Sequence, residues 1–148
     1  MIRWLILVVF VLTLSAAAQQ TTEQLRAKLD HSTGGDAAKL AVEIASRDVE
    51  QASAEFTAGN NDRGHALIAE AAQLVERAGA AAMESNKKVK DTEIAVRKLE
   101  RHLEDINRTV SFEDQDQIEE SMKIIGRVRN QLLDRMFGLD EKVKVKKK

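Results

Sequence analysis

The chain has 148 residues, with no Cys, no Pro and no Tyr, one Trp and four Phe. The missing Cys excludes a disulfide framework, a thiolate zinc site and a cysteine nucleophile, while the missing Pro and 32% charged residues favour long helices over a turn-rich β fold. Lys plus Arg (23) nearly balances Asp plus Glu (24), so no global charge points to nucleic acid.

Residues 1–18 read as a secretory signal peptide. Arg3 supplies the basic start, Trp4 to Leu14 is an almost unbroken apolar run, and Ser15, Ala16, Ala17 and Ala18 give the A-x-A pattern before Gln19. The apolar run is shorter than the about 20 residues that a membrane-crossing helix needs. Cleavage after Ala18 is therefore expected, with an uncleaved N-terminal anchor as the alternative. Without Cys to carry a lipid, a lipoprotein is excluded. A Cys-free exported chain suits a bacterial periplasm or the external medium.

The next elements follow in chain order. Residues 19–35 are polar, with two possible helical turns from Thr22 to Leu29, and Gly34-Gly35 breaks them. A helix is expected over 36–58, with Asp36 as its N-cap. Its stripe is Ala38, Val42, Ala45, Val49, Ala52 and Phe56, spaced 4, 3, 4, 3, 4. A second helix is expected over 62–108, capped by Asp62. Leu67, Ala71, Leu74, Ala78, Ala81 and Ser85 form its first stripe, and Thr92, Val96, Leu99, Leu103, Ile106 and Val110 its second. Val89 joins the two as a stutter, which unwinds a supercoil without breaking the helix. Glu84 to Asp91 is the weak point, and Gly79 the other candidate break. Ser111 with Asp114 resembles a capping signature for a last helix over 112–137. That helix carries Ile118, Met122, Ile125, Val128, Leu132 and Met136, and Gly138 ends it. Residues 139–148 form a charged tail.

These pieces predict an all-α fold. At about 1.5 Å per residue the three helices span about 35, 70 and 39 Å, so the outer two laid end to end match the central one. Short connections force antiparallel neighbours. The expected form is an elongated, coiled-coil-like hairpin bundle with one long central helix. A break at Gly79 would instead give a compact four-helix bundle. Alanines dominate the first helix pair, and Leu, Ile, Val and Met the second, so the C-terminal hairpin is expected to be the more stable.

Ala54-Glu55-Phe56-Thr57-Ala58-Gly59-Asn60, followed by Ala66, Ala71 and Leu74, resembles one helical hairpin of the tetratricopeptide repeats. The resemblance covers residues 54–78 and occurs once. It implies peptide or protein binding rather than catalysis.

Sites with chemistry are scarce. The histidines are His31, His65 and His102, preceded three residues earlier by Lys28, Asp62 and Leu99, so the Glu-x-x-His pairing of di-metal bundles fails. Asp62 with His65 comes nearest, and His102 with Asp105 shares a helix face. Nucleotide-binding, nucleophile-elbow and zinc-protease motifs do not occur. Glu119 and Glu120 are adjacent and point apart. Asn107-Arg108-Thr109 fits a glycosylation sequon, which a bacterial chain would not use. Neither an enzyme, a cofactor, a metal, a nucleic acid nor a small-molecule substrate is expected.

The tail holds the clearest asymmetry. Lys142, Lys144, Lys146, Lys147 and Lys148 follow a body, residues 19–139, with 17 basic and 22 acidic groups. The leading expectation is an exported, non-enzymatic structural or interaction protein of the cell envelope, meeting a partner or itself through helix faces. The alternative is a peripheral module touching anionic lipid or lipopolysaccharide through those lysines.

Overall fold

The computed structural model describes residues 21–138. The expected signal peptide and its cleavage site, and the Lys-rich tail, lie outside the described residues. Within them the protein is an all-α bundle of five helices with no strand. They are α1, whose described part is 21–30, then α2 (Gly34–Thr57), α3 (Asn61–Ser85), α4 (Val89–Thr109) and α5 (Phe112–Met136).

One expectation is corrected. The run 62–108 is two helices, parted at residues 86–88, and Gly79 is not the break. The local sequence explains the place. Glu84 to Lys88 offers no apolar side chain to hold a stutter against a core. Ser85 turns its hydroxyl onto the Ala81 carbonyl at 2.7 Å, and Asn86 and Lys88 adopt left-handed φ of 53° and 61°. Asn tolerates that region; Lys88 occupies it under strain.

The break lets α4 fold back instead of running on. Asn61 and His65 of α3 bond Asp114 at the start of α5, while Met83 near the end of α3 accepts from Arg135 near the end of α5. Helices α3 and α5 therefore run parallel and side by side. Helix α2 lies against α3 and α4, α5 lies against α3 and α4, and α2 does not reach α5. The bundle is thus one helix long, about 37 Å for 25 residues, in place of a rod about 70 Å long.

Gly79 has a packing role. A Cβ there would stand 2.5 Å from Val128 Cγ1, so its missing side chain is what lets α5 close on α3. Gly64 serves likewise under the Phe56 ring, where a Cβ would stand 2.8 Å from two ring carbons.

The helix ends depart from expectation in detail. Helix α2 begins at Gly34 after Thr33, and α3 at Asn61 after Asn60, so Asp36 and Asp62 lie inside the first turns, with no side-chain cap bond at either end. There their charges still favour the helix dipoles. At the other end of α2, Gly59 has φ +83°. The Gly59 and Asn60 amides donate to the Phe56 and Glu55 carbonyls at 3.1 and 2.8 Å, which is a Schellman closure.

Helix α1 adds a lid on the first hairpin. Leu29 is buried, and Arg26 donates from Nη2 to both Asp48 oxygens at 2.8 and 3.0 Å and from Nη1 to Glu70 at 2.7 Å.

Candidate functional site

The densest group of titratable side chains sits where α3 and α5 begin. Asp114 is its hub. It accepts from His65 Nε2 at 2.7 Å on one oxygen, and from Asn61 Nδ2 at 2.8 Å and the Ser111 hydroxyl at 2.7 Å on the other. Those donors, His65 first and Ser111 next, hold the Asp114 carboxyl below its ordinary value. A carboxylate only accepts, so Nε2 carries the imidazole proton. The imidazole Nδ1 is buried and without a hydrogen-bond partner, and the ring meets Phe56 edge to face at 5.0 Å.

The sequence spacing joins Ser111 to Asp114 and leaves His65 and Asn61 unlinked to them. Asp62, three residues before His65, sits in the first turn of α3, and the carboxylate that His65 meets is Asp114, 49 residues along the chain. Ser111 and Asp114 were expected as a cap pair, and their side chains do bond, but the bond is hydroxyl to carboxylate rather than a cap of the backbone. No periodic signal links a residue at one helix start to one at another. Asp105, expected to share a face with His102, pairs with Arg108 at 3.5 Å. Asn107 lies within α4 with its Oδ1 buried.

The geometry decides what the cluster can do. Activation of a serine needs the imidazole between hydroxyl and carboxylate. Here the carboxylate stands between the other two, so the Ser111 hydroxyl does not meet the imidazole, whose free nitrogen is buried. The group works as a charge-assisted lock between α3 and α5. A polar cavity of about 250 Å³, lined in part by Phe56, Ile106 and Asp114, lies on one side of it.

Two carboxylates that are buried, where Asp114 is half-buried, also pair across helices. Asp48 is clamped by Arg26; burial pushes its carboxyl above the ordinary value, against the pull of the Arg26 charge and hydrogen bonds. Glu93 of α4 faces Arg129 of α5 at 3.5 Å and Arg97 at 3.6 Å, and Arg129 also donates to Glu100 at 3.0 Å. Among the described residues no group of three or more His, Cys, Asp or Glu is placed to hold a metal ion.

A groove of about 460 Å³ runs between α2 and α4. Ala38, Val42 and Ala95 line it, and Lys39, Glu43, Lys88 and Asp91 edge it. The expected contact lysines, Lys142, Lys144, Lys146, Lys147 and Lys148, lie outside the described residues. No protein-family model matches the chain, and no curated protein and no solved structure matches it either.

Proposed function

We propose that this chain is a non-enzymatic, exported interaction protein of the bacterial cell envelope, meeting a protein partner or a second copy through its helix faces. The observation that carries this reading is where the half-buried and buried charge pairs point. His65 with Asp114, Arg26 with Asp48, and Arg129 with Glu93 each join one helix to another. Charges used this way set the relative positions of helices, which an interaction surface needs and a reaction does not consume. The apolar groove between α2 and α4 supplies such a surface. The hairpin over 54–78, similar to a tetratricopeptide unit, supports the same reading.

Site-specific photocrosslinking in producing cells tests it. A crosslinker at Ser46, in the α2–α4 groove, is expected to give one discrete protein adduct. The His65→Ala variant should keep that adduct at temperatures where it stays folded, because His65 serves the fold. Loss of the adduct in a fully folded His65→Ala chain would assign His65 to function directly and overturn the reading.

A further inference from the structure

Two faces of the bundle carry opposite charges that the fold leaves unpaired. The first is a groove of about 550 Å³ between α3 and α5. Ala69, Ala72 and Ile124 give it an apolar floor, and Gln73, Asp116 and Glu120 edge it. No Lys or Arg lines it, and neither Asp116 nor Glu120 makes an ion pair among the described residues. Asp62 and Glu76, both exposed, extend the α3 edge beyond its two ends. Lys123 and Arg127 follow along α5 and close the acidic stretch there. The second face is the outer side of α4. Lys90, Ile94, Arg97 and Arg101 recur on it at spacings of 4, 3 and 4, with Lys98 beside them. Lys90, Lys98 and Arg101 are exposed and make no ion pair among the described residues, while Arg97 reaches Glu93 at 3.6 Å. Nearby carboxylates are already used: Asp91 pairs with Lys88, and Glu104 and Asp105 pair with Arg108. Ile94, half-buried, sits at the centre of this basic face.

We propose that the outer face of α4 in one copy docks in the α3–α5 groove of a second copy. Ile94 rests on Ala69, Ala72 and Ile124, and Lys90, Lys98 and Arg101 reach the carboxylates along both edges. The exposed Ala69 lets the incoming helix approach closely. The lengths agree: at about 1.5 Å per residue, Lys90 to Arg101 spans about 16 Å and Asp62 to Glu76 about 21 Å. A foreign basic helix is the rival occupant. A second copy is favoured because this chain itself supplies a face of matching charge, apolar centre and length. Two different faces meet, so the contact is heterologous. Each copy offers one groove and one basic face, and association adds copies head to tail. This inference rests on the reading of an interaction protein, and it names a second copy at a face other than the α2–α4 groove.

Sedimentation velocity of the full chain tests it. At low salt the average mass should rise with concentration, and salt at about 0.5 M should reverse the rise. Two double variants separate the faces. Asp116→Asn with Glu120→Gln removes the groove charge and keeps the α4 face; Lys98→Gln with Arg101→Gln does the reverse. All four side chains are exposed, so the helical circular dichroism should stay unchanged. Each variant alone should associate at least about fivefold more weakly than the wild type. Mixed in equal amounts, the two should form pairs at wild-type strength and nothing larger, because one sound groove meets one sound face. The apolar run Trp4 to Leu14 is common to every chain, so the comparison isolates the charged faces. A wild type without salt-sensitive association overturns the proposal and leaves the groove to a foreign helix. Variants that associate as the wild type does, or a mixture that gains no pairs, overturn it too. Crosslinks from Ser46 report the α2–α4 groove, which neither variant alters, so the two readings fail separately.

Discussion

The two hairpins, α2–α3 and α4–α5, use helices of similar length and pack by different means. The first buries nine alanines together with Val42, Ile44, Val49, Leu67, Ile68, Leu74 and Val75. The second buries no alanine; Val96, Leu99, Leu103, Ile106, Ile118, Ile125, Val128 and Leu132 make its core. At about 1.5–3 kcal/mol for each large aliphatic side chain, the two sets are nearly equal. The alanines are then an addition to the first hairpin, and they let its backbones approach. Helices α2 and α3 accordingly share the most extensive contact of any helix pair. The expectation of a more stable C-terminal hairpin is reversed on this argument. Native-state hydrogen exchange should find the slowest amides in α2 and α3, with α4 and α5 opening first; slower exchange in α5 than in α3 would break the comparison.

The largest expected effect comes where the halves meet. Gly79→Val should cost about 3 kcal/mol, because even its Cβ would overlap Val128. In denaturant the variant should lose α4–α5 protection before α2–α3. Adding Val128→Ala should recover part of the loss, so that the double variant is more stable than the sum of the single changes implies. Strict additivity would mean that the two residues do not meet.

The charge clamps separate the halves further. Asp48 depends on Arg26, which comes from α1, outside the hairpin, whereas Glu93 has both Arg129 and Arg97. Arg26→Ala should cost about 2 kcal/mol, the value for an orphaned buried carboxylate reduced because Arg26 is one-third exposed and Asp48 can take up a proton. Arg129→Ala should cost about 1 kcal/mol, since Arg97 remains. Thermal unfolding at neutral pH reads both; equal losses would show that Arg97 contributes nothing.

Acid should act on the two halves with opposite sign. The Asp114 carboxyl lies below its ordinary 3.8 in the folded chain. Its contribution is complete above that value and is lost as pH falls through the lowered one. The stability gap between the wild type and Asp114→Asn should therefore narrow below about pH 4. Asp48 is raised instead, so its buried charge opposes folding at neutral pH and protonation relieves it. The wild type should gain on Asp48→Asn as pH falls from neutral toward 3.8. Parallel pH profiles for the two variants would contradict the assigned shifts.

How far the fold was legible follows from these same residues. The stripes through Val42 and Val49, Leu67 and Leu74, and Leu99 and Leu103 are buried as their spacing requires. What the stripes omitted decided the architecture. Ala37, Ala41 and Ile44 on α2, and Ile68, Ala72, Val75 and Ala82 on α3, are buried too. They widen each apolar face from one seam to two, and a two-helix rod covers only one. Read as a second face, they call for the return of α4 and α5. The polar cluster was less legible, because Asp114 and His65 meet only after that return, and helical periodicity carries nothing about residues 49 apart.

The smallest effect concerns the turns that close the two halves. The α2–α3 turn places Gly59 at φ +83° with nothing near its Cβ position, so the residue fits the turn without strain. The α3–α4 turn puts Lys88 at φ +61°, where an L side chain costs about 1–2 kcal/mol. Glycine at 88 would relieve that cost and add chain entropy to the unfolded state, which takes back about 0.5–1 kcal/mol. Lys88→Gly should therefore raise stability by less than about 1 kcal/mol, and Gly59→Ala should lower it by about 1. The two changes have opposite signs because one turn has the residue its φ calls for and the other does not. A Lys88→Gly chain less stable than the wild type would mean that contact between the Lys88 stem and Gly35 outweighs the backbone strain.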